Sequence, residues 1–188
     1  MVTIRREREA DVALREALLD VSYGPVRFSK TSERLREGRL PDLSFVATRG
    51  RRLVGTVRLW DVSAGRGRPA LLLGPLAVAP DCRKRGIGST LVQAALREAT
   101  GLGHGAVLLV GDAPYYGRFG FSNEKTAALW LPGPYEPHRL LARELKPGAL
   151  DGARGLISAS GRPERQPDLA ALVAGLAGSE PTLAPRAA

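Results

Sequence analysis

Residues 76–91 read LAVAPDCRKRGIGSTL, and this stretch decides how the rest of the sequence is interpreted. The run Ala70–Ala79 that leads into it is almost entirely apolar, which predicts a β-strand buried on both faces. From Gly86 to Ala99 the apolar residues recur at helical spacing, which predicts an α-helix. A basic, glycine-bearing loop joins the strand to the helix. Its basic residues and glycines are Arg83, Lys84, Arg85, Gly86 and Gly88.

This loop has the features of an anion-binding site. The first amides of a helix have no partner within the helix, and the helix dipole is positive at that end. Glycine lets the backbone approach a ligand closely, so the loop suits a pyrophosphate. The Walker pattern GxxxxGK[ST] is missing, and the Rossmann pattern GxGxxG fails because Leu91 stands in place of the third glycine. A GxG pair alone is also compatible with an ordinary tight loop.

The order strand, helix, strand over residues 70–110 predicts a βαβ unit whose two strands are parallel. The remaining pattern predicts one domain at residues 1–160 and a tail at 161–188, where Pro, Glu, Arg and Ala become frequent and one short helix is expected. Further strands are expected at Val2–Arg6, Leu43–Thr48, Arg52–Val62, Ala106–Val110, Ala127–Leu131 and Gly155–Ala159, and helices at Glu9–Val21, Ser32–Glu37, residues 113–119 and Leu169–Leu176.

Composition narrows the class of protein. Of 188 residues, 44% are hydrophobic and 25% are charged, which is typical of a globular chain with a core. No apolar run is long enough for a membrane span, and the single cysteine, Cys82, allows no internal disulfide, so we expect a cytoplasmic protein without membrane partners. The net charge of +9 favours anionic ligands. Because the arginines are scattered, specific nucleic-acid binding is not expected, although it stays open as an alternative.

Two segments together resemble a known family. Residues 73–96, LGPLAVAPDCRKRGIGSTLVQAAL, look like the acetyl-CoA-binding segment of the GNAT superfamily of N-acetyltransferases. Residues 111–121, GDAPYYGRFGF, look like the Tyr-x-x-x-Gly-Phe segment of the same superfamily. The resemblance extends over residues 2–160 and is strongest to the YhbS-like bacterial branch.

The resemblance implies an α/β (α+β) fold of the GNAT acyl-CoA N-acyltransferase type. Its mixed central sheet is flanked by helices and contains a parallel strand pair that splays apart around the pantetheine arm of acetyl-CoA. Asp112 falls where many relatives carry an asparagine that contacts the cofactor, although Asp112 could equally cap the following helix. Backbone groups of Leu76, Ala77 and Val78 would bind the pantetheine, and the loop residues Arg83, Lys84, Arg85, Gly86, Ile87, Gly88 and Ser89 would hold the pyrophosphate.

The implied reaction transfers acetyl from acetyl-CoA to a primary amine by direct attack in a ternary complex. Tyr116 holds the position whose phenol commonly protonates the leaving thiolate, and it also contacts the cofactor in relatives. A purely structural aromatic role for Tyr116 is the alternative. The amide of Val78 would serve the oxyanion. Neither a nucleophilic role for Cys82 nor a metal site is expected.

The general base and the acceptor are not specified by the sequence. Asp61, His104 and His138 are weak base candidates, and the two histidines read as surface residues. The acceptor, a small molecule or a protein amine, is expected over residues 22–42, 60–69 and 122–140, with Tyr23, Trp60, Trp130 and Tyr135 as lining candidates. The two tryptophans could equally be half-buried core residues. A CoA-binding sensor or interaction module without catalysis is the main alternative function. Such folds commonly form homodimers, but the sequence does not specify one.

Overall fold

A computed structural model describes residues 1–164 of the chain. The α-helices of this part of the chain are α1 (Val12–Tyr23), α2 (Ile87–Gly101) and the one-turn α3 (Ala113–Tyr116). Its strands are β1 (Val2–Arg6), β2 (Leu43–Arg49), β3 (Arg52–Ala64), β4 (Pro69–Val78), β5 (Ala106–Val110), β6 (Leu129–Trp130), β7 (Leu140–Glu144) and β8 (Gly155–Ala159). The central sheet has the strand order β1-β2-β3-β4-β5-β7, with β8 pairing β3 and the short β6 pairing β8.

The βαβ unit predicted from the sequence is present. Strand β4 is parallel to β5, and α2 connects them. The apolar stripe of α2, which includes Leu91, Val92 and Ala95, is buried against the sheet in one core cluster with residues of β2 and β3. A second cluster contains Trp60 and Ile157, and it takes the alternate residues of the same strands, so it covers the opposite face of the sheet. The two clusters together bury β4 on both faces.

Several sequence expectations need correction. The helix predicted at Ser32–Glu37 is a 3₁₀ turn at Thr31–Leu35, because one isolated turn is too short to form an α-helix. The strand predicted at Ala127–Leu131 shortens to β6. Strand β7 was not predicted at all; it pairs antiparallel with β5 along its whole length. The helix predicted at Leu169–Leu176 lies outside the described residues.

The last described residues pack against the segment before β2. The amide of Leu40 donates to the Arg162 carbonyl at 2.9 Å, and the amide of Glu164 donates to the Gly38 carbonyl at 2.9 Å. Ordered contacts therefore continue four residues past the predicted domain boundary at residue 160. Within residues 1–164 no helix is both long and apolar enough to cross a membrane.

Candidate active site

A gap opens between β4 and β5 on the way to the basic loop. The two strands pair only at Leu71 with Val107 and at Leu72 with Leu108. Beyond that point residues 73–78 have no partner on β5, so the parallel pair splays as the GNAT resemblance implied. The β3–β4 register shifts at the same place, and the Trp60 indole donates to the Gly74 carbonyl at 2.6 Å, which anchors the diverging strand.

Backbone groups of the splayed strand alternate between β3 and the gap. The Ala79 amide donates to the Val54 carbonyl at 2.9 Å, so by alternation the backbone of Ala77 also faces β3. The backbone groups of Leu76 and Val78 face the gap. Their carbonyls already accept side-chain donors: the Tyr23 hydroxyl for Leu76, and Arg83 Nε, at 3.2 Å, for Val78. The amides of Leu76 and Val78 are thus available to a ligand, whereas that of Ala77, expected to contribute, is not.

The basic loop leads directly into α2 with open amides. Arg83, Lys84, Arg85 and Gly86 are exposed, and Gly86, the residue before the helix, has φ +79°. No side chain of residues 1–164 caps this helix end, so the first amides, those of Ile87, Gly88 and Ser89, can donate hydrogen bonds to an external anion. The structure therefore contains an exposed, positively charged loop that ends in uncapped helix amides.

Two adjacent tyrosines point to different parts of the site. A methyl group added at Gly88 would lie 3.0 Å from the Tyr115 hydroxyl, which places that hydroxyl at the start of α2. The Tyr116 ring instead lines a cavity that lies beside the gap. The two rings meet edge to face with centroids 4.8 Å apart. The pair spans the distance between the basic loop and the cavity.

The Tyr116 ring is held firmly while its hydroxyl makes no hydrogen bond within residues 1–164. The ring packs edge-on against Phe121, with centroids 6.0 Å apart, and against Phe119. It also lies on Gly111, where an added methyl group would come within 2.3 Å of the ring, so only glycine fits there. Burial raises the pKa of the Tyr116 phenol, and Tyr23 and Tyr115 nearby raise it further. The phenol is therefore protonated at neutral pH and can act as a proton donor.

The cavity beside Tyr116 has a volume of about 420 Å³, within the range of small-molecule sites. It lies between the 3₁₀ turns after α1, the middle of β4 and the loop before β7. Tyr23 and Tyr135 line it as expected, but Trp60 is buried in the core and Trp130 is exposed elsewhere, and residues 60–69 contribute nothing. The charged lining residues are Arg27, Lys30, Glu33, Arg34, Arg36, Glu136 and Arg139.

None of the base candidates from the sequence lines this cavity. Asp61, Asp42 and His104 instead form a separate cluster whose polar atoms lie within 4.8 Å of one another, and His138 is exposed. The sequence did not predict that these three side chains lie close together, because they come from different segments. The carboxylates that do line the cavity, Glu33 and Glu136, were not singled out from the sequence, although they fall within the segments expected to bind the acceptor.

Asp112 stands at the junction of β5 and α3. Its side chain makes no capping hydrogen bond, so the side-chain cap considered from the sequence is not formed. The carboxylate is exposed and pairs with Arg139 at 3.1 Å. Asp112 thus lies at the mouth of the gap. Cys82, by contrast, is buried below the basic loop and does not line the cavity.

Comparison with known proteins identifies the family. The model of the acetyltransferase (GNAT) domain family matches residues 41–123. The chain is 30% identical over 156 residues to the uncharacterized N-acetyltransferase YhbS of Escherichia coli K12, covering 82% of this chain and 93% of that relative. The chain belongs to the GNAT acetyltransferase family.

Solved structures agree with this family and with its fold. The crystal structure of E. coli YhbS in complex with CoA superposes with a TM-score of 0.73 at 29% identity, covering 85% of this chain and 89% of that one. A GNAT acetyltransferase from Brucella melitensis in complex with acetyl-CoA gives a TM-score of 0.54 at 29% identity, covering 76% and 96%. The GNAT fold and the similarity to YhbS, both predicted from the sequence, are confirmed.

Proposed function

We propose that the protein transfers the acetyl group of acetyl-CoA to a primary amine by direct attack in a ternary complex. The observation that carries the proposal is the position of Tyr116, whose ring stands where the splayed gap of β4 and β5 meets a cavity of small-molecule size. A thioester lying in the gap and an amine lying in the cavity would meet at its hydroxyl.

The cofactor would lie along the open side of β4. The amides of Leu76 and Val78 face the gap and suit the carbonyl groups of the pantetheine arm and the thioester. The pyrophosphate would accept hydrogen bonds from the first amides of α2, with Lys84 and Arg85 supplying positive charge. Two relatives crystallised with CoA or acetyl-CoA support this assignment. Asp112 would lie beside the cofactor at the mouth of the gap.

The chemistry needs an oxyanion donor and a proton donor in the same place. The neutral amine attacks the thioester carbon, and the resulting oxyanion accepts a hydrogen bond from the Val78 amide. The carbon–sulfur bond then breaks, and the thiolate takes the proton of the Tyr116 hydroxyl. The surplus proton of the amine passes through water to the phenolate and restores the phenol. Acetyl amide and free CoA are the products. Cys82 takes no part, because it is buried away from the cavity.

The test is amine-dependent release of CoA, detected as free thiol, across a panel of primary amines, with the acetylated product confirmed by mass spectrometry. A ternary complex predicts intersecting lines in double-reciprocal plots of initial rate when both substrates are varied, whereas an acetyl-enzyme intermediate predicts parallel lines. Tight acetyl-CoA binding without amine-dependent release would favour a CoA-binding sensor and contradict the proposal.

A further inference from the structure

The cavity beside Tyr116 carries an excess of positive charge. Five cationic side chains line it against two carboxylates. A cavity meant for a simple cationic amine would repel its ligand under this charge balance, since like charges in a partly buried site are destabilising. The excess positive charge therefore indicates that the acceptor carries a negatively charged group in addition to its amine.

Four of the five cations have partners within the described residues. They are Arg27 with Glu16 and Asp20, Arg34 with the Pro132 carbonyl, Arg36 with Glu33, and Arg139 with Asp112 and Glu136. Lys30 has no carboxylate partner there, and Arg36 has a single one together with a buried Nε atom that has no hydrogen-bond partner. The Nε atom of Arg139 is also buried without a partner, but two carboxylates compensate the charge of Arg139.

Arg36 is a buried guanidinium with too few acceptors. Its side chain is 10% exposed, and within residues 1–164 its single partner is the Glu33 carboxylate, 3.3 Å from Nη1. The Nε atom is buried without a hydrogen-bond partner, and Nη2 lies against Gly74 of the splayed strand, 3.2 Å from where a methyl group there would stand. A buried charge with unmet donors is costly unless a ligand supplies the acceptor.

Lys30 adds a second cation to the same wall. Its ammonium lies over the Tyr23 ring, 4.6 Å from the centroid, and no carboxylate within the described residues pairs with it. Partial burial of the Lys30 ammonium lowers its pKa, and the positive charges of Arg36 and Arg139 lower it further, so the three cations lie close enough to repel one another. An anion placed among them would relieve both the repulsion and the unmet donors of Arg36.

We propose that the acceptor is a small primary amine that also carries an anionic group, a carboxylate or a phosphate, which binds Arg36 and Lys30 while the amine faces Tyr116. This proposal rests on the acetyltransferase function above and specifies its acceptor. The cavity volume of about 420 Å³ suits a small molecule. The guanidinium can hold a carboxylate or a phosphate through two parallel hydrogen bonds.

The experiment compares matched amines that differ only in the anionic group. One arm sets amino acids against their amides, and the other sets phosphoethanolamine against ethanolamine, with CoA release as the readout. We expect kcat/KM to favour the anionic member of one arm by at least about tenfold, and the arm that responds identifies carboxylate or phosphate. Arg36→Gln should lower kcat/KM for that member by about 10–100-fold, the usual loss for a charge-assisted hydrogen bond, and leave the neutral amine and the KM for acetyl-CoA unchanged.

Arg97→Gln is the matched control, because Arg97 is exposed on α2 and far from the cavity, and it should change none of these constants. If Arg36→Gln fails to fold, Lys30→Gln at an exposed position should show the same selective loss. Equal rates for charged and neutral amines, or an equal loss for both in the variants, would overturn the proposed acceptor while the acetyltransferase function stands. If none of the amines in either arm causes release of CoA, the proposed acetyltransferase function is wrong, and the proposed acceptor with it.

Discussion

Removing the Tyr116 hydroxyl should slow catalysis and leave stability nearly unchanged. In Tyr116→Phe the ring contacts with Phe119, Phe121 and Gly111 are kept, because only one oxygen is lost. That oxygen makes no hydrogen bond within the described residues, and it is not one of their fully buried unpartnered polar atoms, since the half-buried Tyr116 lines the cavity. Its loss should therefore change the free energy of unfolding by no more than about 0.5 kcal/mol. For a chain of this size that corresponds to a change in Tm of no more than about 2 °C.

The same change should slow the chemical step. A general acid contributes about 10²–10⁴-fold, and since water can partly replace the phenol we expect a loss of about 100-fold in kcat, or about 2.7 kcal/mol. The KM for acetyl-CoA should hardly move, because the proton is donated only as the thiolate leaves. Burial raises the pKa of Tyr116 above its ordinary value, so its acid form persists to higher pH than that of a free phenol. In the unmodified protein kcat should therefore not fall between pH 7 and about 10 through loss of this proton.

Tyr115→Phe is the internal control. The Tyr115 hydroxyl lies at the start of α2 rather than in the cavity, so its loss should raise the KM for acetyl-CoA by up to about tenfold and leave kcat unchanged. Single-turnover kinetics with a confirmed acceptor separates the chemical step from product release. An unchanged single-turnover rate in Tyr116→Phe would refute the general-acid role, and a larger kcat loss in Tyr115→Phe would transfer that role to Tyr115.

Three further changes probe the support of the site. Gly111→Ala should lower kcat with CoA affinity retained, since the new methyl group would come within 2.3 Å of the Tyr116 ring and displace it; equal activity would show that the ring position is unimportant. Joint replacement of Gly86 and Gly88 with valine should weaken CoA binding in calorimetry, because φ is +79° at Gly86 and a Cβ atom at Gly88 would stand 3.0 Å from the Tyr115 hydroxyl, so the start of α2 would have to shift; unchanged affinity in a folded variant would rule out the loop as the binding site. A chain ending at Glu164 should keep its Tm and its CoA affinity, because the hydrogen bonds to residues 38–40 are retained. Unfolding of this shortened chain would show that residues 165–188 stabilise the fold.

The parts of the fold that were predictable are those with strong local patterns. The apolar run of β4 and the stripe of α2 each extend over enough residues to specify a buried strand and an amphipathic helix. The basic loop between them followed from the same stretch. Strand β7 was missed because Leu140–Glu144 has no period-two alternation, and only its pairing with β5 makes it a strand.

The cavity could not be predicted because its residues meet only in three dimensions. Arg36 comes to lie against Gly74, which is far away along the chain, and no local pattern marks that contact. The sequence left the role of the two tryptophans open for a similar reason. Trp60 could have lined a ligand site or belonged to the core; it is buried, and its indole donates to the Gly74 carbonyl. Which face of a strand meets solvent depends on the neighbouring elements that cover it.

We propose that the splayed gap, the basic loop and Tyr116 form one acetyl-CoA site. A crystal structure of this protein with CoA would locate that site. We predict the pyrophosphate on the amides of Ile87, Gly88 and Ser89, the pantetheine along Leu76 and Val78, and the sulfur within hydrogen-bond reach of the Tyr116 hydroxyl. CoA bound elsewhere, or bound in the gap with its sulfur out of reach of Tyr116, would refute this arrangement of the site.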